Sequence, residues 1–333
     1  MGWFGKRVKI TRLKKYYFDA LIFLVAFLYL FPWGYIEKDA YSALVSYDDM
    51  HEDEVSDASI HNFVSDTNKA ESLYSTLQAV GYQLDGIKNG FQTVPHVFLP
   101  KIPKDIKNFS PVHKRKQLFI MVTLPLILQS NELISEDRQR LMDLGRRIKR
   151  GTNISYSDNL WLKEMSNRYS AESTNIDDLL ERVDIVPVSL ALAQAIEESG
   201  WGTSRFTHEG NALFGQRIYG IQKDRAGMIP QDADSKKYKV QSYYQLQESV
   251  DSYINNLNSH YAYSKFRKAR KLLRKKHNKI DPIFLASTLD NYSENGERYT
   301  KKLIRIIKAN DLVLLDPAKL SPDYFVNVKH IAG

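Results

Sequence analysis

The stretch Ser189–Ile196, SLALAQAI, offers almost no polar side chain to any face of a helix, and it runs straight into Glu197, Glu198 and then Ser-Gly-Trp-Gly. A helix apolar on nearly every side is stable only when protein surrounds it. The chain must therefore fold around this segment, and two carboxylates must sit at its end. A buried carboxylate is costly unless paired, hydrogen-bonded or protonated. Burial raises a carboxyl pKa, and a raised pKa makes a general acid usable near neutral pH. Gly200 and Gly202 permit a sharp turn and close approach of a ligand to backbone. Trp201 offers an aromatic surface suited to the apolar face of a sugar. The same residues also read as an ordinary exposed pair of carboxylates, with Gly200 as a helix stop. Against that, acidic residues at a helix C-terminus oppose the macrodipole.

Around this segment the pattern is mostly helical. Pro187 suits a first helical turn, so the helix carrying Glu197 and Glu198 is expected to start near Val188. Residues 112–130 read as a helix kinked or broken at Pro125. Further amphipathic helices are expected at Ile134–Lys149 and Ser157–Tyr169, with a short one beginning at Asn175. A small β-hairpin is expected near 216–242, then helices at about 245–258, 281–289 and 297–309. No role is assigned to residues 67–112. The fold class is α+β, mostly α, with a small β lobe.

Residues 1–18 carry six Lys or Arg, and an apolar run from Ala20 to Phe31 follows, extended by Pro32-Trp33-Gly34-Tyr35. A membrane span needs about 20 residues. Tyr16, Tyr17 and Phe18 bring the run close to that, interrupted by Asp19. The expected reading is an uncleaved anchor with aromatic residues at the interfaces. The alternative is a cleaved signal peptide, with a poor small-x-small pattern at Ala40-Tyr41-Ser42. Both put the basic end in the cytoplasm and the rest outside it. The expected location is the inner (cytoplasmic) membrane, single-pass, with the downstream domain periplasmic or extracytoplasmic. Cleavage would instead release the domain into the periplasm.

The net charge of +8 is concentrated in that flank and in residues 265–279, KFRKARKLLRKKHNK, which hold nine Lys or Arg and no acid. Without these two segments the chain is net negative, so no nucleic-acid footprint is expected. The absence of cysteine excludes disulfides, thiolate metal sites and cysteine nucleophiles. His208-Glu209 lacks the second His of a zinc motif. No metal and no cofactor are expected.

The string LAQAIEESGWGTSRFTHEGNALFG, Leu192 to Gly215, resembles the glucosaminidase motif of glycoside hydrolase family 73, the lysozyme-like peptidoglycan hydrolases. Within that family it is most similar to the Bax-type group, which carries ESxWGTSRF followed by GNNLFGQ. The likeness extends through VPVSLALAQA, ESVDSYINNLNSHYAY and LDNYSENGERYTKKLIRII, covering roughly residues 112–312. It implies a lysozyme-like glucosaminidase domain over 112–312. A basic flank and anchor (1–35) and a linker or accessory segment (36–111) precede it, and a tail (313–333) follows.

The implied activity is that of an endo-β-N-acetylglucosaminidase cleaving the β-1,4 bond after N-acetylglucosamine. By the resemblance Glu198 is the general acid and Glu197 a neighbour. The family often carries its second carboxylate as a Glu on the β lobe. Here residues 216–242 hold only Asp224, Asp232 and Asp234. Asp232 and Asp234 lead as the base. Glu209 and Glu248 follow, although Glu248 fits a helix-capping role better. The substrate's own acetamido group is the alternative. Tyr292 in NYSENGERY matches the family's active-site tyrosine and is expected to hold the sugar or its acetamido group; it also reads as a core tyrosine between helices. Trp201, Gly202, Asn211, Phe214 and Tyr299 are expected to contact substrate.

The expected partners are peptidoglycan glycan strands and, through the N-terminal segment, a membrane. An uncontrolled wall hydrolase would lyse its host, so autoinhibition or a regulatory protein is also expected. The basic run 265–279 is expected to form a helix with a wet cationic face, either simply solvated or bound to anionic wall polymer or lipid head groups. Two other readings remain open. One is a lytic transglycosylase on the same fold; the other is a non-catalytic wall-binding scaffold.

Overall fold

The computed structural model describes residues 69–219, 227–230, 238–277, 280–293 and 296–322. The chain divides into two units, Met1–Ile60 and His61–Gly333, and every described residue belongs to the second. The expected anchor (1–35) and residues 36–68 of the linker or accessory segment lie outside the described residues.

Two short helices come first, α1 (Ala70–Ala79) and α2 (Leu84–Lys88). They lead into α3 (Val112–Lys149), the longest helix described. α3 runs unbroken through Pro125, where the sequence pattern predicts a kink or break and a second helix beyond it. A proline in a helix interior costs roughly 3 kcal/mol. Every residue from Leu118 to Leu128 is buried, however, and each fully buried large aliphatic side chain is worth about 1.5–3 kcal/mol. Breaking the helix would expose more than it relieves. By length and composition α3 could cross a membrane, yet 78% of its most apolar window is buried inside the fold. It is the core helix of this unit.

Three helices follow: α4 (Tyr156–Arg168), α5 (Ile176–Arg182) and α6 (Val188–Ser199). Their starts match the capping chemistry of the sequence. The Ser155 side chain accepts from Asp158 N, and Asn175 accepts from the amides of Asp177 and Asp178. α6 is buried from Val188 to Ile196, as its all-round apolar pattern requires. It packs against α3 and, further along the chain, against α10 (Pro282–Ala286), α11 (Gly296–Ala309) and the 3-10 turn Leu312–Leu315. Its first turn is tied down by Asp316, whose two oxygens accept from Ser189 N (2.8 Å) and Ser189 Oγ (2.9 Å). A carboxylate there also complements the positive end of the helix.

After α6 come the short α7 (Arg205–Gly210) and a three-stranded antiparallel sheet. Its strands are β1 (Arg217–Tyr219), β2 (Gly227–Met228) and β3 (Tyr238–Gln241), with β3 in the middle. The expected β-hairpin is thus a small sheet in which the first and last strands pair directly. The remaining long helices are α8 (Leu246–Ser259) and α9 (Ser264–His277).

Residues 69–111, which carry no role on sequence grounds, join the same core through Leu73, Leu77, Ile87, Ile102 and Ile106. Val94 bridges to Leu320 in parallel fashion, and Leu246 N donates to Pro100 O at 3.0 Å.

The basic run forms the expected helix with a wet cationic face, and its arginines add an internal role. Its lysines at 265, 268, 271, 275 and 276 are exposed, but Arg267 and Arg270 are buried. The Arg270 guanidinium donates to the carbonyls of Glu181, Arg182, Asp184 and Ile185, closing the C-terminal end of α5. Arg267 does the same for Leu257 and His260. Arg274 grips the buried Asp184 with two bonds, at 2.6 and 2.5 Å, and Arg138 of α3 lies 3.6 Å away. Burial alone would raise the Asp184 pKa, but Arg270, Arg274 and Arg138 together hold it below 3.8.

Asp184→Asn is expected to destabilise the fold by about 3–5 kcal/mol, the usual cost of leaving buried charges without their partner. In the native chain the stability lent by Asp184 is present above pH 3.8 and lost as the pH falls through its lowered folded value. Chemical denaturation at neutral and acidic pH checks both. A variant as stable as wild type at neutral pH would contradict this account of the cluster.

Candidate active site

Glu198 sits in the last turn of α6, half-buried. The helix ends at Gly200 (φ +58), and Trp201 (φ +61) and Gly202 (φ +75) continue in the left-handed region. For a tryptophan this conformation costs of order 1–3 kcal/mol, a cost that recurs where structure holds a functional turn. Gly202 is required twice over. Its φ is positive, and a Cβ there would come within 2.9 Å of Phe119 in α3. Ser199 holds the turn, accepting from Gly202 N (2.8 Å) and donating to Ala195 O (2.5 Å).

The Glu198 carboxyl faces two surroundings. On one side the backbone passes close, since a Cβ on Gly215 would lie 3.5 Å from Glu198 Oε2. On the other stands a group of tyrosines. Tyr299 and Tyr292 are stacked at 5.5 Å, and Tyr253 meets Tyr292 edge-on at 6.5 Å. Tyr263 lies 5.8 Å from Tyr292, and Phe214 is stacked on Tyr253 at 3.8 Å. The Tyr292 hydroxyl donates to Phe214 O at 3.3 Å.

A buried hydrogen-bond chain sets the direction of the proton next to Glu198. Tyr253 Oη donates to Gln194 Oε1 at 2.7 Å, and Gln194 Nε2 donates to Tyr299 Oη at 3.0 Å. The Tyr299 oxygen is thus already an acceptor. Its own proton is left for Glu198, to which it is hydrogen-bonded. Gln194 acts as a polariser: it makes Tyr299 a donor toward the carboxyl.

The electrostatic balance follows. Burial drives the Glu198 pKa up, the Tyr299 hydrogen bond draws it down, and Glu197 pushes it up again. Arg217 and Lys302 pull it down, and the result is raised from 4.5 to about 7. Burial and the Glu198 charge both raise the hydroxyls of Tyr253, Tyr292 and Tyr299 well above 10, so they remain proton donors at neutral pH. Such a carboxyl can carry a proton near neutrality and give it to a group placed against it.

The expected residues divide clearly. Glu198, Tyr292 and Tyr299 are brought together. Phe214 closes the cluster from the core, through its buried ring and its carbonyl. Glu197 turns aside to an ion pair with Lys302. Trp201 packs edge-on against Phe119 at 6.0 Å, with Lys116 Nζ 4.8 Å over its ring. Asn211 is used to build the loop, its amide donating to the carbonyls of Tyr243 (3.1 Å) and Tyr244 (2.8 Å). Glu209 pairs with Arg205, and Glu248 accepts from Tyr244 N, two residues before α8, at 3.0 Å. Asp224, Asp232 and Asp234 lie outside the described residues.

Four participants carry no assigned role on sequence grounds: Gln194, Tyr253, Tyr263 and Arg217. For Gln194 a signal existed. It is the one amide in an otherwise apolar helix, and it stands four residues before Glu198, on the same helical face.

Residues 173–312 match the family model of Glucosaminidase, described as mannosyl-glycoprotein endo-beta-N-acetylglucosaminidase. The chain is also similar to Protein bax of Escherichia coli (strain K12). The two are 32% identical over 219 residues, covering 63% of this chain and 75% of the relative. The matched region contains Glu198 and every tyrosine of the cluster.

Gln194→Leu is expected to lower the unfolding free energy by about 2 kcal/mol, because it strips the Tyr253 and Tyr299 hydroxyls of a buried partner. Denaturant unfolding measures this. Unchanged stability would mean that the amide does not hold the two hydroxyls as described.

Proposed function

The chain belongs to the glucosaminidase family, with a Bax-type relative, and on that premise we propose that it is a peptidoglycan endo-β-N-acetylglucosaminidase with Glu198 as its general acid. The observation that carries the proposal is the half-buried Glu198 carboxyl, raised to about 7 inside a ring of tyrosines. Glu198 gives its proton to the glycosidic oxygen as the bond to the anomeric carbon of N-acetylglucosamine breaks. Positive charge then develops on the sugar ring, in an oxocarbenium-like transition state. Tyr299, oriented by Gln194, donates to the carboxylate left behind and stabilises it. Tyr292 stands where a sugar or its acetamido group would meet the site.

The second partner of the reaction is either a β-lobe carboxylate, with Asp232 and Asp234 first, or the acetamido oxygen of the substrate. Water completes the hydrolysis in both cases. The family description and this proposal share the cleaved bond, the one following N-acetylglucosamine, and differ in the glycan that carries it. Peptidoglycan fits the further proposal that residues 1–35 anchor the chain in the cytoplasmic membrane with this domain outside.

The test is mass spectrometry of the products formed from purified peptidoglycan by the full chain and by Glu198→Gln. The expected result is muropeptides ending in reducing N-acetylglucosamine from wild type, with at least a hundredfold loss in the variant, the scale of general acid catalysis. Anhydro-N-acetylmuramic ends would move the assignment to a lytic transglycosylase. Binding without products from either protein would favour a scaffold.

A further inference from the structure

One face of the β lobe carries Tyr219 and Tyr238, which have no role in the chemistry above, beside Arg217, whose charge acts on Glu198. We propose that Tyr219, Tyr238 and Arg217 form a subsite for sugar units of the glycan chain beyond the cleaved bond. This rests on the glucosaminidase reading for its ligand, a β-1,4-linked amino-sugar chain.

Continuity with the Glu198 site is the first ground. Gly215 lies against Glu198 Oε2, and β1 begins two residues later. Arg217, its first residue, is close enough for its charge to act on Glu198. A strand advances about 3.3 Å per residue, so Tyr219 lies within roughly 13 Å of Gly215 along the chain. The strand therefore leads on directly from the backbone that passes Glu198.

Side-chain placement is the second ground. Arg217 and Tyr219 share one face of β1, while Ile218 between them is buried on the other. Tyr238 is directly opposite Tyr219 across the β1–β3 pair and lies on the same face. The two rings stand 5.8 Å apart, tilted by 46°. The Arg217 guanidinium lies 4.4 Å over the Tyr238 ring and fixes its position. Tyr219 is left 54% exposed. The lower half of the same face, Met228 and Val240, packs inward, with Met228 against Gly210. The buried apolar side chains of the sheet are Ile218 and Val240, and Tyr219 is not among them.

The chemistry of the ligand is the third ground. An amino sugar in a β-1,4 chain shows C–H groups on its faces and hydroxyl and amide groups at its edge. A tyrosine offers the complement, an apolar ring with a polar tip. The competing explanation is that Tyr219 and Tyr238 are only a cross-strand pair stabilising a small sheet.

The two explanations separate in a binding experiment on the full chain carrying Glu198→Gln, which is not expected to consume its ligand. The probes are the dimer and the hexamer of β-1,4-linked N-acetylglucosamine, read by calorimetry, with thermal unfolding followed in parallel. Adding Tyr219→Ala should weaken hexamer affinity about tenfold, the scale of one aromatic contact, while dimer affinity changes less than twofold. Tyr219→Trp should restore the hexamer affinity. Equal hexamer affinity for Tyr219→Ala, or a loss tracking only a lower unfolding temperature and not rescued by Trp, would overturn the proposal. The hydrolase reading fails separately. If active wild type releases no products while hexamer affinity still depends on Tyr219, the subsite stands and the reaction assignment falls.

Discussion

Glu198 is held between two opposed influences, and the rest of the site is arranged around their balance. Burial at the end of an apolar helix favours the protonated carboxyl. A hydrogen bond from Tyr299 favours the carboxylate. With burial alone the group would keep its proton too tightly to release it. With full solvation it would hold none at neutral pH. Gln194 matters because it decides which way Tyr299 donates, and Tyr253 matters because it decides which way Gln194 is turned.

Such a balance survives only on a rigid frame. α6 is pinned at its first turn by Asp316 and surrounded along its length by α3, α10 and α11. The glycine turn after it is pressed onto Phe119, so the position of Glu198 is set against α3 itself. The loop Asp184–Pro187 leading into α6 is fastened by the arginines of α9 and by Asn131 of α3. A run of cations that suggests an outward-facing binding surface also supplies internal scaffolding, through its three arginines, while its described lysines stay outside. Arginine is suited to that task because its planar fork satisfies several carbonyls at once.

The parts of this arrangement legible in the sequence are those dictated by local chemistry. The start of α6, the helix beginning at Asn175, and a carboxyl forced into a dry helix end all follow from side-chain type and spacing. The parts that are not legible depend on partners distant in the chain. Pro125 suggests a broken helix because the burial that outweighs it is supplied by other elements. Arg270 is not set apart in sequence from its basic neighbours until α5 and the loop after it offer four carbonyls. Strand order is similarly hidden, since pairing of β1 with β3 is a long-range choice that three- and four-residue strands do not specify. Gln194 lies between these cases: a lone amide in an apolar helix announces a buried partner without saying which.

The most direct test of this account is the titration of Glu198 itself. Carbon NMR of the full chain, labelled at glutamate carboxyls and assigned with Glu198→Gln, reads its midpoint without reference to any substrate. The account predicts a midpoint at about 7. A midpoint at the ordinary 4.5 would mean that the carboxyl is solvated and charged at neutral pH, and that the buried proton donor described here does not exist.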